Sequence, residues 1–439
     1  MEQRWPAMVT ADVDLSPDQI AALESVPDMP TYGRMIFVTG KAGTGKSTVL
    51  RKLVAETPLK SVVLAPTGLA AINAGGQTIH SFFNFKLGPL DDDPERVPTF
   101  KRGAPKQRLI ASLDLVIIDE ISMVRADVMD AIDLSLRRNT GRREPFGGKT
   151  VVAFGDLWQL EPVVPNGAEG EMIAHRYSSP FFFDSDVVRG GSIDVIELQT
   201  VHRQKEDPEF LWALNRLRRG DTSELEYFNS RVGAEIEGEH VITLTATNGR
   251  AQTINLSRLA ALSSPESILE GSLVGDFGRD LPTDLVLRLR PGAQVMFVKN
   301  AKQWVNGTLG TVRWVEPDAI GVRTADGLDV TVERESWEKT RYTWDRGSHR
   351  IAAEPVGTFT QFPLKLAWAV TIHKAQGLTF DRMAVDLDMR AFAHGQLYVA
   401  LSRCRTLDGL SLRRRVMPGD CIVNQRIWDF ERRAGLMSN

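Results

Sequence analysis

Cysteine is nearly missing from this 439-residue sequence: there are two, Cys404 and Cys421. Two thiols cannot build a disulfide framework, and their spacing matches no metal motif. Long apolar runs are missing as well. None approaches the ~20 residues a membrane-spanning helix needs. The opening residues, MEQRWPAMVTADVDL, lack the charged-then-apolar layout of a secretory signal. The reading is an intracellular soluble protein with no membrane partner, cytoplasmic if the source is bacterial. An excess of one charge is lacking too, with 53 Lys and Arg against 56 Asp and Glu and a net charge of −3. A nucleic-acid site therefore has to be a local groove rather than a basic tail. No repeat is visible, and the two halves do not differ enough in composition to mark a linker.

What is present is an alternation. Short apolar runs recur: RMIFVTG at 34–40, SVVLAPT at 61–67, LDLVIIDE at 113–120 and TVVAFGD at 150–156. Runs of this length, rich in Val and Ile, suit strands buried on both faces of a parallel sheet. Helical patterns lie between them, notably STVLRKLVAE and ADVMDAIDLSLRR (126–138). The class is α/β, doubly wound, with ligands expected beyond the carboxyl ends of the strands. A second set begins near 193 with IDVIELQT and continues with VITLTAT, KLAWAVTIHKAQG and MAVDLD. It predicts a second α/β domain over 191–439 behind a first over 1–190. Within the second, 306–360 reads as short strands separated by Gly, Asp and Pro turns, a small β-barrel-like insertion. Residues 83–111 read as a turn-rich insertion in the first.

Gly40-Lys41-Ala42-Gly43-Thr44-Gly45-Lys46-Ser47 matches the phosphate-loop pattern, Gly, four residues, then Gly-Lys-Ser/Thr. It follows a predicted strand and opens a predicted helix, with Thr48 the next residue in, and that context gives the match its meaning. Glycines let the backbone approach phosphates, Lys46 is a point charge for the β- and γ-phosphates, and Ser47 can bind Mg²⁺. Asp119 and Glu120 end an apolar strand. Asp119 would hold Mg²⁺ through water, and Glu120 would activate an attacking water. Gln159, in Gly155-Asp156-Leu157-Trp158-Gln159-Leu160, can bond both a γ-phosphate oxygen and water. Gln19 either reads an adenine edge or sits at a helix start capped by Ser16.

Several blocks together resemble one family. VVLAPTGLAAINAGGQTIHSF (62–82), IIDEISMV, PFGGKTVVAFGDLWQLEPV, LQTVHRQKEDPEFLWALNRLRRG, AVTIHKAQGLTF and GQLYVALSRC stand in the order of the petite-integration-frequency (PIF) helicases. These are relatives of the RecD-like enzymes in the five-prime-to-three-prime branch of helicase superfamily one. The resemblance runs from about residue 15 to 412. Glu161 departs from it, because the family usually has proline there.

The resemblance implies two RecA-like domains with ATP between them, and an SH3-like β-barrel as the second-domain insertion. Arg203 and Arg403 would reach the γ-phosphate from the second domain as the cleft closes. Pro66, Thr67, His80 and Phe82 would face DNA from the first domain, with core packing the alternative for Phe82 in the Phe-rich stretch 82–85. Thr371, His373, Lys374 and Gln376 would do so from the second, with Asn306 and Gly307 adding backbone contacts. The 83–111 insertion would be a wedge and the 306–360 insertion a cover over the strand. The implied partners are single-stranded and forked or structured DNA, with a monomer as the active form. Two other classes stand beside a helicase: a phosphate-loop phosphotransferase of a small molecule, and a strand-binding module whose ATP site only regulates.

Overall fold

A computed structural model describes residues 15–436, apart from 27–32, 87, 91–92, 166, 202–206, 237, 279–280, 346–349 and 389. The Val- and Ile-rich runs pair side by side because each is apolar on both faces and needs cover on both. Six parallel strands form the first sheet, in the order Gln77–Thr78, Ser61–Ala65, Leu115–Ile118, Thr150–Phe154, Met35–Gly40, Ile193–Leu198. Alternate residues feed two cores. Met35, Phe37, Val62 and Leu64 pack on one face, and Ile36, Val38, Val63 and Leu115 on the other. Helix Ala126–Thr140 covers the first of these with Val128, Ile132 and Leu136.

Strand Ile193–Leu198 was expected to start the second domain. It lies instead at the edge of the first sheet, in register with the phosphate-loop strand from Met35↔Ile193 to Gly40↔Leu198. Its side chains settle the matter, since Ile193 and Val195 pack on one core of that sheet and Ile196 and Leu198 on the other. Sheet membership therefore runs past residue 190. The second parallel sheet has four strands, ordered Ala369–Thr371, Ile242–Thr245, Met383–Asp386, Leu410–Leu412.

Between strands of that sheet the chain builds an antiparallel one: Asp329–Glu333, Ala319–Thr324, Leu309–Val315, Gln294–Phe297, Leu364–Leu366. It recruits strands from both sides of 306–360. The alternation in Gln294–Phe297 is masked in sequence, because Val295 and Phe297 enter the antiparallel core while Met296 enters the second α/β core. A further sheet joins Glu335–Asp345, Arg350–Gln361 and Ser272–Gly275. Helix Pro105–Ser112, from the 83–111 segment, lies alongside Glu335–Asp345. That segment is anchored rather than loose, with Phe83, Phe85, Leu90, Val97, Leu109 and Ile110 all in the first core.

The chain returns to the first sheet at its end. Helix Gln425–Arg433 looks polar in sequence, but Ile427 and Phe430 enter the first core. The Phe430 ring stacks on Phe183 at 4.6 Å, and Trp158 Nε1 donates to Glu431 Oε1 at 2.5 Å. No helix among the described residues is long and apolar enough to cross a membrane.

Removing the Phe430 ring opens a cavity of the kind that costs about 3–5 kcal/mol. Phe430→Ala is therefore expected to lower the urea midpoint of the first domain's unfolding transition. An unchanged midpoint, followed by tryptophan fluorescence, would detach the C-terminal helix from that core.

Candidate functional site

The carboxyl ends of both parallel sheets meet across one cleft. From the first sheet, strand Met35–Gly40 runs into the phosphate loop and then helix Lys46–Glu56. Gly40 has φ 155°, and a Cβ there would stand 2.7 Å from both the Leu198 carbonyl oxygen and Thr44 Oγ1. Gly43 and Gly45 are left-handed at φ 83° and 80°, a conformation that costs glycine little. Lys46 Nζ lies over the loop and donates to the carbonyls of Gly40 (2.7 Å) and Lys41 (3.1 Å). Ser47 is exposed at the helix start, Thr48 half-buried beside it, and Ala42 and Thr44 are buried in the loop.

Asp119 and Glu120 leave strand Leu115–Ile118 side by side. Asp119 Oδ1 accepts from the Glu120 backbone N–H at 2.9 Å. Glu120 has φ 51°, a left-handed conformation that costs a non-glycine residue about 1–3 kcal/mol. Burial pushes both carboxyls above their ordinary range, and Asp119 adds its charge against Glu120, while Lys46 opposes the rise at each. Arg403 also opposes it at Glu120. This donor set fits a small divalent cation bound together with a phosphate. Among the described residues no group of three or more His, Cys, Asp or Glu is placed to hold a metal ion. Ser47 and Asp119 alone would therefore share the ion with phosphate oxygens and water, the arrangement Mg²⁺ accepts.

The second domain closes over these groups. Gln376 Nε2 donates to Glu120 Oε2 at 3.1 Å and stands 3.5 Å from Gln159 Oε1. The sequence placed Gln376 with the strand-facing residues, but its side chain points into the nucleotide cleft. Gln159 Nε2 donates to Asp156 Oδ2 at 3.2 Å. Arg403 is 1% exposed, donates through Nε to the Val399 carbonyl at 3.0 Å, and carries its charge toward Glu120 and Asp156. Arg203 falls outside the described residues.

Four further residues define the contact between domains, and the sequence reading passed over three of them. Arg218 Nη2 pairs with Asp156 Oδ1 at 2.7 Å, both fully buried. Burial alone would raise the Asp156 carboxyl, but Arg218, and behind it Lys46, holds it below its ordinary range. Tyr398 Oη accepts from the Ala42 N–H of the phosphate loop at 3.3 Å. Gly395, at φ 68°, abuts the Gln159 loop so closely that a Cβ would stand 2.3 Å from the Gln159 carbonyl oxygen. The fourth is Glu161, whose Oε1 accepts from the His394 backbone N–H at 3.2 Å. Proline, usual at that position in the resembled family, could not make this bond. Arg218 did carry a signal. It follows Phe210, Leu214 and Leu217 at helical spacing, on the buried face of helix Pro208–Arg218.

Other expected residues divide. Gln19 belongs to the helix start: its Oε1 accepts from the Ser16 N–H at 2.9 Å, and its Nε2 donates to the Thr44 carbonyl at 3.0 Å. The bond to Ser16 is the helix-start role, and the bond to Thr44 ties the same amide to the phosphate loop. Phe82 is fully buried against Phe83 at 4.8 Å, under Lys106, with no face for a base. Its helix, Ile79–Phe83, turns the ring into the core because the neighbouring turn-rich segment packs there. Thr371 is also buried, with Oγ1 accepting from the Lys374 N–H at 3.4 Å. Pro66 and Thr67 stay at the surface, where Thr67 caps the helix Gly68–Ala74. His80 is half-buried, edge-on to Phe85, and burial lowers its pKa, as it does for His373. Lys374 is exposed, and Asn306 is half-buried with its N–H on Asn300 Oδ1 at 2.7 Å. A Cβ at Gly307 would stand 3.1 Å from Leu378, so the 299–308 loop reaches the 371–378 segment.

Removing Arg218 strands a buried carboxylate, a loss of about 3–5 kcal/mol when one partner goes. Arg218→Met should sharply lower the melting temperature, and adding Asp156→Asn should recover much of it. Additive losses in that double-mutant cycle would show that the pair is not coupled.

The family model for PIF1-like helicase matches residues 14–226. The ATP-dependent DNA helicase Pif1 of Bdellovibrio bacteriovorus is 34% identical, over 92% of this chain and 89% of that protein. Against the longer human ATP-dependent DNA helicase PIF1, 32% identical, the chain spans 63% of the relative's length. Among solved structures, Bacteroides Pif1 in complex with ADP-AlF4 superposes with a TM-score of 0.87 at 36% identity, covering 97% of this chain and 98% of that one. The same relative bound to single-stranded DNA gives 0.69 at 38% identity, covering 96% and 97%. With two parallel α/β sheets facing one phosphate loop, and a relative of this similarity matched over nearly its whole length, the chain belongs to the PIF1-like helicase family.

Proposed function

We propose that this chain is an ATP-driven DNA helicase that moves five-prime to three-prime along a single strand and unwinds duplex, forked or structured DNA. The observation that carries the reading is the contact across the cleft, where Gln376 of one sheet meets Glu120 of the other at 3.1 Å. Lys46 and the loop N–H groups bind the triphosphate, with Gly40, Gly43 and Gly45 shaping the turn. Ser47 and Asp119 would hold Mg²⁺, which when bound would neutralise phosphate charge. Glu120 orients water and takes its proton, and Gln159 and Gln376 position that water. Arg403, and Arg203 by its place in the motif, stabilise charge at the γ-phosphate. An arginine in that role is worth about 10³–10⁵ in rate. All of these groups come from one chain, so a single copy can carry the reaction.

Motion follows from the same contact. Hydrolysis needs the cleft closed, and release of products lets it open. The fall in likeness from 0.87 to 0.69 between two states of one relative fits a rearrangement of domains in that relative. Pro66, Thr67 and His80 on the first domain and His373, Lys374 and Asn306 on the second would grip the strand by turns. The anchored 83–111 segment would part the duplex, and the antiparallel sheets would cover the strand. Glu120, Gln159 and Gln376 stand where water is to be activated, which disfavours transfer to a small-molecule acceptor.

A fluorescence unwinding assay with five-prime and three-prime overhangs tests this. Opening of the five-prime substrate alone, and only with ATP, is the expected result. Lys46→Ala should abolish unwinding while leaving strand binding. Glu120→Gln should bind ATP and lose at least about a hundredfold in turnover, the scale of general-base loss. Equal opening of both substrates would overturn the polarity, and opening without ATP would overturn the motor.

A further inference from the structure

The segment that joins the antiparallel sheet to the second parallel sheet carries a cation with no hydrogen-bond or ion-pair partner among the described residues. Strand Leu364–Leu366 pairs with Gln294–Phe297 at the sheet edge, in the register Val295↔Leu366, Met296↔Lys365, Phe297↔Leu364. Leu364 and Leu366 turn toward the antiparallel core with Val295 and Phe297. By strand alternation Lys365 points the other way, with Met296, toward the second α/β domain. That is the side on which the 371–378 segment and the 299–308 loop meet, through Gly307 and Leu378. Among the described residues Lys365 makes no hydrogen bond and no ion pair, although it is partly covered. Burial pushes its ammonium down to about 8, repulsion from Lys374 pushes the same way, and Asp284 opposes them.

A half-covered ammonium facing a second ammonium is unfavourable until an anion joins them. We propose that Lys365 binds a backbone phosphate of the single strand, sharing with Lys374 one phosphodiester site between the antiparallel sheet and the second α/β domain. The inference rests on the helicase reading. A phosphate oxygen supplies the acceptor that the protein does not, and binding draws a proton onto Lys365. The charged groups facing Lys365 are Lys374, from the 371–378 segment, and Asp284, from the turn before strand Val286–Leu289; Met296 opposite carries no charge.

The test is anisotropy of a labelled oligothymidylate with the full chain, across a range of KCl concentrations and from pH 7 to 9. The slope of log affinity against log salt should be shallower by about 0.7 in Lys365→Met, one phosphate contact on a single strand. Affinity of the unaltered chain should fall about tenfold from pH 7 to 9, as a group near 8 in the free protein loses its proton. Lys365→Arg, always charged, should keep the slope and flatten the pH profile. An unchanged salt slope in Lys365→Met would overturn the proposal. So would identical pH profiles for the unaltered chain and Lys365→Arg, a comparison that stands even if the methionine variant does not fold. A chain that binds no strand under any of these conditions would instead overturn the helicase reading itself.

Discussion

Two carboxylates held side by side and partly covered from water resist being charged together unless cations face them. Asp119 and Glu120 impose that condition here. The first domain meets it partly with Lys46. The second domain supplies Arg403, whose charge counters the rise at Glu120, and Gln376, which donates to it. The groups to which hydrolysis is assigned in the proposed function are thus divided between two bodies, so that reading makes their relative position a chemical variable.

Around this electrostatic centre the fold adds contacts that set how closely the two bodies approach. Arg218 and Asp156 form a buried pair across the boundary, Tyr398 touches the phosphate loop, and Gly395 lies against the Gln159 loop. The C-terminal helix crosses back to the first core and places Glu431 on Trp158, two residues from Asp156. The chain leaves the first domain after Leu198 and returns by Gln425. The two bodies are therefore joined at both ends of the second.

The parallel strands and the phosphate loop were legible because local pattern decides them: unbroken apolar runs and glycines at fixed spacing. Pairing partners were not legible. Ile193–Leu198 reads the same whichever sheet it joins, and only side-chain packing assigns it to the first. Phe82 was misplaced because an aromatic beside a strand-facing motif reads alike as platform or core, and the neighbouring segment that buries it has no periodic signal. Gln19 was open between two roles, and its amide is engaged at both ends. Arg218 and Lys365 went unnoticed for a shared reason: each charge sits on a face defined by apolar neighbours, and its meaning appears only when that face meets another domain.

The central claim is that the two sheets change their separation as nucleotide and strand come and go. Spin labels at Ala55 and Gln252, both exposed and on opposite domains, would report that distance directly. The account predicts distinct distances for the nucleotide-free chain, the chain with ADP-AlF4 and the chain on single-stranded DNA, with the nucleotide-dependent shift lost in Lys46→Ala. One unvarying distance in all three states, in a chain that still unwinds DNA, would contradict it.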